Sequence, residues 1–365
     1  MKKGKGFKIL KDLLNLQTAA FREDHVLEYI RSWARKKGVP LSFDEAGNLF
    51  LSYEGAGASK DLCHWVFAAH MDHPSFVVRQ RRGKKVWADF RGGVREEYFP
   101  GSRVIFYPKG ARIAAKIVSA QKSKDLGWWI CRLELEEESS LPRGTIGMWD
   151  LPDYKKRGHR ISARTCDDLA GVAAILDAFE LIVEEQVPAR VSGLLTRAEE
   201  VGFMGAIAAC RLGSIPSDAS ILAIETSAEQ SYARLGDGVI IRVGDKTWSF
   251  DPPLTYFVEK VARKLKEEDE SFGYLRRLMP GGTCESTPYS VFGYQSTGLC
   301  LALGNYHNMG AEGRIASEKI DGRDYTALVS LLLAVAREKS TARGQLQALK
   351  RRLSERFQRR KAYLM

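Results

Sequence analysis

Apolar and polar positions along the chain fall into distinct textures. Residues 8 to 38 carry a helical period that stops near Gly38. The stretch SFDEAGNLFLSYEG then alternates on either side of Gly47-Asn48 and predicts a hairpin. In DLCHWVFAA the unbroken run WVFAA predicts a strand buried on both faces. From about Val77 to Arg160 the pattern shortens. FVVRQ, KVWADF, RVIFYP, AAKIVSA, WWICRLELE and TIGMWDL alternate between Gly, Pro and charged turns, which predicts a small all-β domain, a barrel, inserted into the main fold.

Beyond the insertion, strands and helices take turns. DDLAGVAAILDAFELIVEEQ places Leu169, Val172, Leu176, Phe179 and Val183 on one helical stripe. VSGLLTRA, ASILAIET and GLCLALG read as strands. GFMGAIAACRLG, PPLTYFVEKVARKLKEE and DGRDYTALVSLLLAVAREK read as helices. This alternation predicts an α/β fold with a mostly parallel sheet flanked by helices. Residues 1–76 and 161–339 form its main domain, residues 77–160 the inserted β-barrel of dimerisation type, and residues 340–365 a basic C-terminal helix.

Composition narrows this little. With 44% hydrophobic residues over 365 positions, the chain is globular rather than disordered. LVSLLLAVA is too short to span a bilayer, so no membrane association is expected. The opening MKKGKGFKILKDLLNL lacks the apolar core of a signal peptide. Six scattered cysteines form no CxxC pair and read as reduced core thiols of a cytoplasmic protein. The formal charge of +11 is concentrated: Ser340 to Met365 hold eight Lys/Arg against one acid. There Leu346, Leu349, Leu353 and Phe357 make an apolar stripe on a basic helix. Packing on the body or on a neighbouring subunit is preferred to nucleic-acid binding, because charge alone is a loose signal.

Candidate chemistry gathers where predicted strands end, which is where open α/β sheets bind ligands. WVFAA runs into His70 and Asp72, VSGLLTRA into Glu199-Glu200, ASILAI into Glu225, and GLCLALG into Asn305-Tyr306-His307, while Cys166-Asp167-Asp168 opens a helix. Singly, HxD, EE and DD pairs recur by chance. Together these groups would repel one another severely unless cations sat among them. Two imidazoles with several carboxylates suit a pair of divalent ions such as Zn²⁺, Co²⁺ or Mn²⁺. Of the adjacent Glu199 and Glu200, one can ligate while the other faces a water as base. Asp72, two positions from His70 in an extended segment, is placed to accept the second ring N–H of that imidazole. His73, followed by Pro74, is a poor ligand candidate, and His25, His64 and His159 read as structural or surface residues.

These motifs resemble the di-metal aminopeptidases that include glutamyl aminopeptidase and the tetrahedral, dodecameric aminopeptidases. HMDHPSF is similar to their HMDEIGF-type motif, CDDLAG to DDRxG, and AEEVGFMGA to EEVGxxGA, with AGNLF, AIET, PGGT and NYHNMGAE in family order. The resemblance implies a zinc-exopeptidase-like fold, two divalent metals per subunit, peptide substrates and a homo-oligomer between dimer and dodecamer. By position it implies Asp167 as the bridging ligand, His70 and Glu225 on one metal, Glu200 and His307 on the other, Glu199 as general base and Asp72 as the orienter of His70. Gly281 and Gly282 would touch substrate, and the Asp167–Asp168 peptide would be cis. The chain departs from the family at Leu169, Glu225, Cys284 and the segment after His307, and in its basic C-terminal helix. The expected activity is a metal-dependent aminopeptidase. A deacylase or other amide hydrolase using the same site, or a scaffold binding acidic partners through the tail, are the alternatives.

Overall fold

The structure, a computed structural model, describes residues 7–59 and 62–364; the basic opening segment 1–6 lies outside them. Where one helix was expected at the start there are two, α1 (Lys8–Leu13) and α2 (Asp24–Lys37). Tertiary bonds break the period between them. Thr18 Oγ1 donates to the Met71 carbonyl at 2.7 Å, and the buried Glu23 carboxylate accepts from the Phe21 and Ala198 amides. The hairpin comes next as β1 (Leu41–Phe43) and β2 (Leu49–Glu54), and then the apolar strand as β3 (His64–His70). In β3 Trp65, Phe67 and Ala69 pack into the core on one face of the sheet, while Val66 and Ala68 pack into the core on the other.

The chain then leaves the sheet. The strands β4 (Ser75–Arg82), β5 (Lys85–Arg91), β6 (Arg103–Phe106), β7 (Ile113–Lys122), β8 (Trp129–Leu135) and β9 (Ile146–Trp149) close into a barrel in the order β4-β5-β8-β7-β6-β9. Its interior is built on Phe76, Phe90, Phe99 and Trp149, whose rings meet edge-on or tilted with centroids 4.8–5.8 Å apart. The return path, β10 (Lys155–Arg157) and β11 (Arg160–Ala163), pairs outside the barrel.

After it come α3 (Cys166–Glu184), β12 (Arg190–Thr196), α4 (Met204–Arg211), β13 (Ala219–Ala228), β14 (Val239–Gly244), α5 (Pro252–Glu268) and β15 (Tyr274–Leu278). The chain ends with α6 (Ser286–Val291), β16 (Gln295–Leu303), β17 (Glu318–Asp321), α7 (Gly322–Arg337) and α8 (Ala342–Arg360). β17 completes a three-stranded sheet with β10 and β11. The main sheet runs β1-β2-β12-β3-β13-β16-β14-β15. It is more mixed than expected. β12, β3, β13 and β16 are parallel, but the hairpin joins antiparallel at one side, and β14 reverses against β16 at the other. Helices α1, α2, α3, α5 and α7 share the larger core, and α4 and α6 cover the opposite face. Helix α8 lies against α5 and buries only Ala342. No helix among the described residues is long and apolar enough to cross a membrane.

Candidate metal centre

Register places the site. β12 pairs with β3 so that Thr196 lies opposite His70, and β13 and β16 run the same way. The turns at the carboxyl ends of these strands therefore emerge along one edge of the sheet. His70 closes β3, and Glu199 and Glu200 sit in the turn after β12. Glu225 lies inside β13, which continues to Ala228 rather than ending there, and His307 sits in the turn after β16. Asp167 and Asp168 belong to the first turn of α3, where their backbone is not helical and the peptide between them is cis. Position 171 is a glycine because a Cβ there would stand 2.3 Å from Asp168 Oδ2.

The structure brings all five predicted ligands together. His70 Nε2 is 3.5 Å from Asp167 Oδ1, 3.7 Å from Glu225 Oε2 and 3.9 Å from Glu199 Oε2. His307 Nε2 is 3.4 Å from Asp167 Oδ2 and 3.5 Å from Glu200 Oε2. Each oxygen of Asp167 thus faces a different imidazole. These gaps exceed ordinary hydrogen bonds. They match the roughly 3.4 Å that separates two ligands each ~2.1 Å from one tetrahedral ion. Asp167 Oδ1 and Glu200 Oε1 are also buried with no hydrogen-bond partner. Soft thiolates take no part. The donor set is imidazole and carboxylate, which would suit borderline divalent cations.

Charge tells the same story. Burial, with repulsion from Glu225, holds Glu199 well above the usual carboxylate range, and burial with Asp167 does so for Glu200. Burial pulls His70 down, yet the carboxylates of Glu199, Asp167, Asp72 and Glu225 outweigh it and hold the imidazole well above its usual range. Burial would raise Asp167, but His307 and His70 keep it well below.

Asp72 does something other than expected. His70 Nδ1 donates to the backbone carbonyl of Asp72 at 3.1 Å, while the Asp72 carboxylate stands 3.6 Å away. That carboxylate accepts instead from the amides of Glu199 at 2.9 Å and Glu200 at 3.1 Å. The physical reason is that β3 stops at His70, so the alternation that would align the two side chains ends before Asp72. Asp72 therefore fixes the turn that carries Glu199 and Glu200.

Other residues had no sequence signal strong enough to single them out. His73, a poor ligand candidate, stays outside the cluster. Its Nδ1 donates to the Asp167 carbonyl at 2.6 Å and its Nε2 meets Asn308 Oδ1 at 3.0 Å. Burial pushes its imidazole down to about 4. Glu318 accepts from the Asp167 amide at 3.0 Å, and its other oxygen is buried without a partner. The Glu285 amide donates to Glu225 Oε1 at 3.2 Å, and burial pushes the Glu285 carboxyl up to about 8. Glu318 lies far in sequence from the groups it supports, so only the pairing of β17 with β11 reveals it.

A pocket of ≈ 110 Å³ opens onto the cluster. Gln230, Arg242, Met279, Gly281, Gly282 and Tyr306 form its wall, which includes both predicted substrate glycines. A Cβ on Gly282 would meet nothing within 4 Å, so the wall is open there. Arg242 is buried and donates to Ser227 Oγ and the Met279 carbonyl, with no carboxylate within ion-pair distance among the described residues.

The sequence profile of the M42 glutamyl aminopeptidase family matches residues 132–339. Solved structures share the fold at low identity. An aminopeptidase from the archaeon Desulfurococcus kamchatkensis is 22% identical with a TM-score of 0.75, over 93% of this chain and 96% of that one. The TET1 peptidase of Pyrococcus horikoshii, which assembles into a tetrahedron or a large octahedral shell, is 19% identical with a TM-score of 0.75, over 91% and 99%. An M18-family aminopeptidase from Thermotoga maritima is 13% identical with a TM-score of 0.65, over 93% and 98%.

Proposed function

The chain belongs to the M42 glutamyl aminopeptidase family, and from that premise we propose that it is a metal-dependent aminopeptidase with a zinc-exopeptidase-like catalytic domain. The observation that supports this most is the pair of imidazoles set on opposite oxygens of Asp167, at ligand-edge rather than hydrogen-bond distances. Asp167, His70 and Glu225 would hold one divalent cation, and Asp167, Glu200 and His307 the other, with Zn²⁺, Co²⁺ and Mn²⁺ as the suitable ions. Bound there, such ions make a water acidic near neutral pH and polarise a carbonyl.

The protein's own residues do the rest. Glu199 takes a proton from the attacking water and passes it to the leaving amine, so one carboxyl serves as base and then acid. Asp72 holds the Glu199 and Glu200 amides, so the base and its ligand neighbour cannot move independently. Gly281 and Gly282 leave room for the first side chain of a peptide. The family is named for glutamyl substrates, which supports an acidic first residue here too. The similar TET1 peptidase can assemble into a tetrahedron or a large octahedral shell, which supports a homo-oligomer for this chain.

A panel of aminoacyl-anilides, including Glu and Asp, set beside N-acyl amino acids and assayed with Zn²⁺, Co²⁺ or Mn²⁺, tests this reading. Cleavage of free-amine substrates only, most rapid with an acidic first residue, is expected. Turnover confined to N-acyl amino acids would make the protein a deacylase.

A further inference from the structure

Tyr306 lines the pocket beside His70, Asp167, Glu199, Glu225 and His307. Its ring stacks on the His307 imidazole, with centroids 3.8 Å apart and planes 21° from parallel. The left-handed backbone of Asn305 and His307 on either side turns the chain sharply enough to set the two rings face to face. The side chain is half-buried, and its hydroxyl makes no hydrogen bond among the described residues. A phenol carries its proton at neutral pH, so the hydroxyl is a donor.

Several other side-chain donors of the pocket already have partners or are closed from solvent. Arg242 serves Ser227 and the Met279 carbonyl, Gln230 Nε2 donates to the Ala228 carbonyl, Thr283 pairs with Thr247, and Thr226 Oγ1 is closed from solvent. Amide hydrolysis gains from such a donor beside any bound cation. When a water oxygen adds to the carbonyl carbon and its proton goes to Glu199, the π pair moves onto the carbonyl oxygen. When the C–N bond breaks, that pair re-forms the C=O and the amine nitrogen takes the proton back from Glu199. We propose that Tyr306 is a further catalytic residue, whose O–H donates a hydrogen bond to the oxyanion formed between these two steps. This rests on the peptidase reading above.

The test is Tyr306→Phe in the metal-loaded, full-length protein. A preorganised oxyanion donor is worth about 10²–10³ in kcat. The variant should lose kcat by that order with KM within about twofold, and should bind a phosphinic dipeptide, a tetrahedral mimic, weaker by a similar factor in calorimetry. Affinity for the free amino acid and metal content should match the wild type. Unchanged kcat and phosphinate affinity would overturn the proposal. So would a matching fall in metal content or amino-acid affinity, since the ring would then act only by packing His307. A wild type inactive on every anilide would sink the peptidase reading, while the calorimetric comparison would still decide Tyr306.

Discussion

Glu199 and Glu200 are neighbours with different work, and the backbone separates them. Asp72 accepts both their amides, so one carboxylate is turned to His307 and the other toward His70 and the pocket. Exchanging Glu199→Gln keeps the shape and removes the proton carrier. Turnover should fall by about 10²–10⁴, with metal content, read by atomic spectroscopy, unchanged. Asp72→Asn sets an amide NH₂ against one of the two N–H groups. It should cost about 1–3 kcal/mol in urea unfolding and lower kcat with little effect on KM, as the turn loosens. The residue types of this site were readable in the sequence because most come at or after an apolar strand, and Asp167 at the opening of an apolar helix. The partner of each was not. Asp72 was expected to serve His70 through its side chain, and only the end of β3 shows that its carboxylate is turned elsewhere.

At the scale of elements, the pattern found what carries a strong period or alternation: the hairpin, β3, the six barrel strands, and helices α3, α5 and α7. It missed β10, β11, β14, β15, β17 and α6, which lie among polar, glycine-bearing stretches where no long period develops. It also fused α1 and α2, because Thr18 and Glu23, which interrupt the helix, bond to residues far along the chain. Helix α8 is the clearest independent element. Leu346, Leu353 and Phe357 stay about half exposed, at 47%, 54% and 48%. Removing residues 341–365 is therefore expected to shift the thermal midpoint by no more than a few degrees and to leave metal content intact, as read by circular dichroism and atomic spectroscopy. A collapse of folding would mean that α8 seals the α5 face after all.

The whole molecule concentrates acid at one point. Glu199, Glu200, Glu285 and Glu318 all ionise less readily folded than unfolded, because burial raises each of them. Groups raised in the folded state add stability that is complete below their unfolded value of 4.5 and is lost as pH rises through the folded values, about 8 for Glu285. The chelated protein should therefore melt at progressively lower temperature from pH 5 toward 8. Added Zn²⁺ should raise the melting temperature more at pH 8 than at pH 5, since cations replace the displaced protons. A chelated melting curve that is flat or rising with pH would show that the carboxylates do not crowd as the structure has them.

The sequence by itself determined most of the strands and helices, where the barrel interrupts them, and which chemical groups gather near the strand ends. Those are local matters, settled by side-chain period and residue type within a few positions. Only the tertiary structure decided that residues as distant as His70, Asp167, Glu225 and His307 share one cavity, which oxygen of Asp167 faces which imidazole, and that Tyr306 stacks on His307. These depend on register between strands distant in the chain, and in a sheet a slip of one residue turns every side chain to the other face.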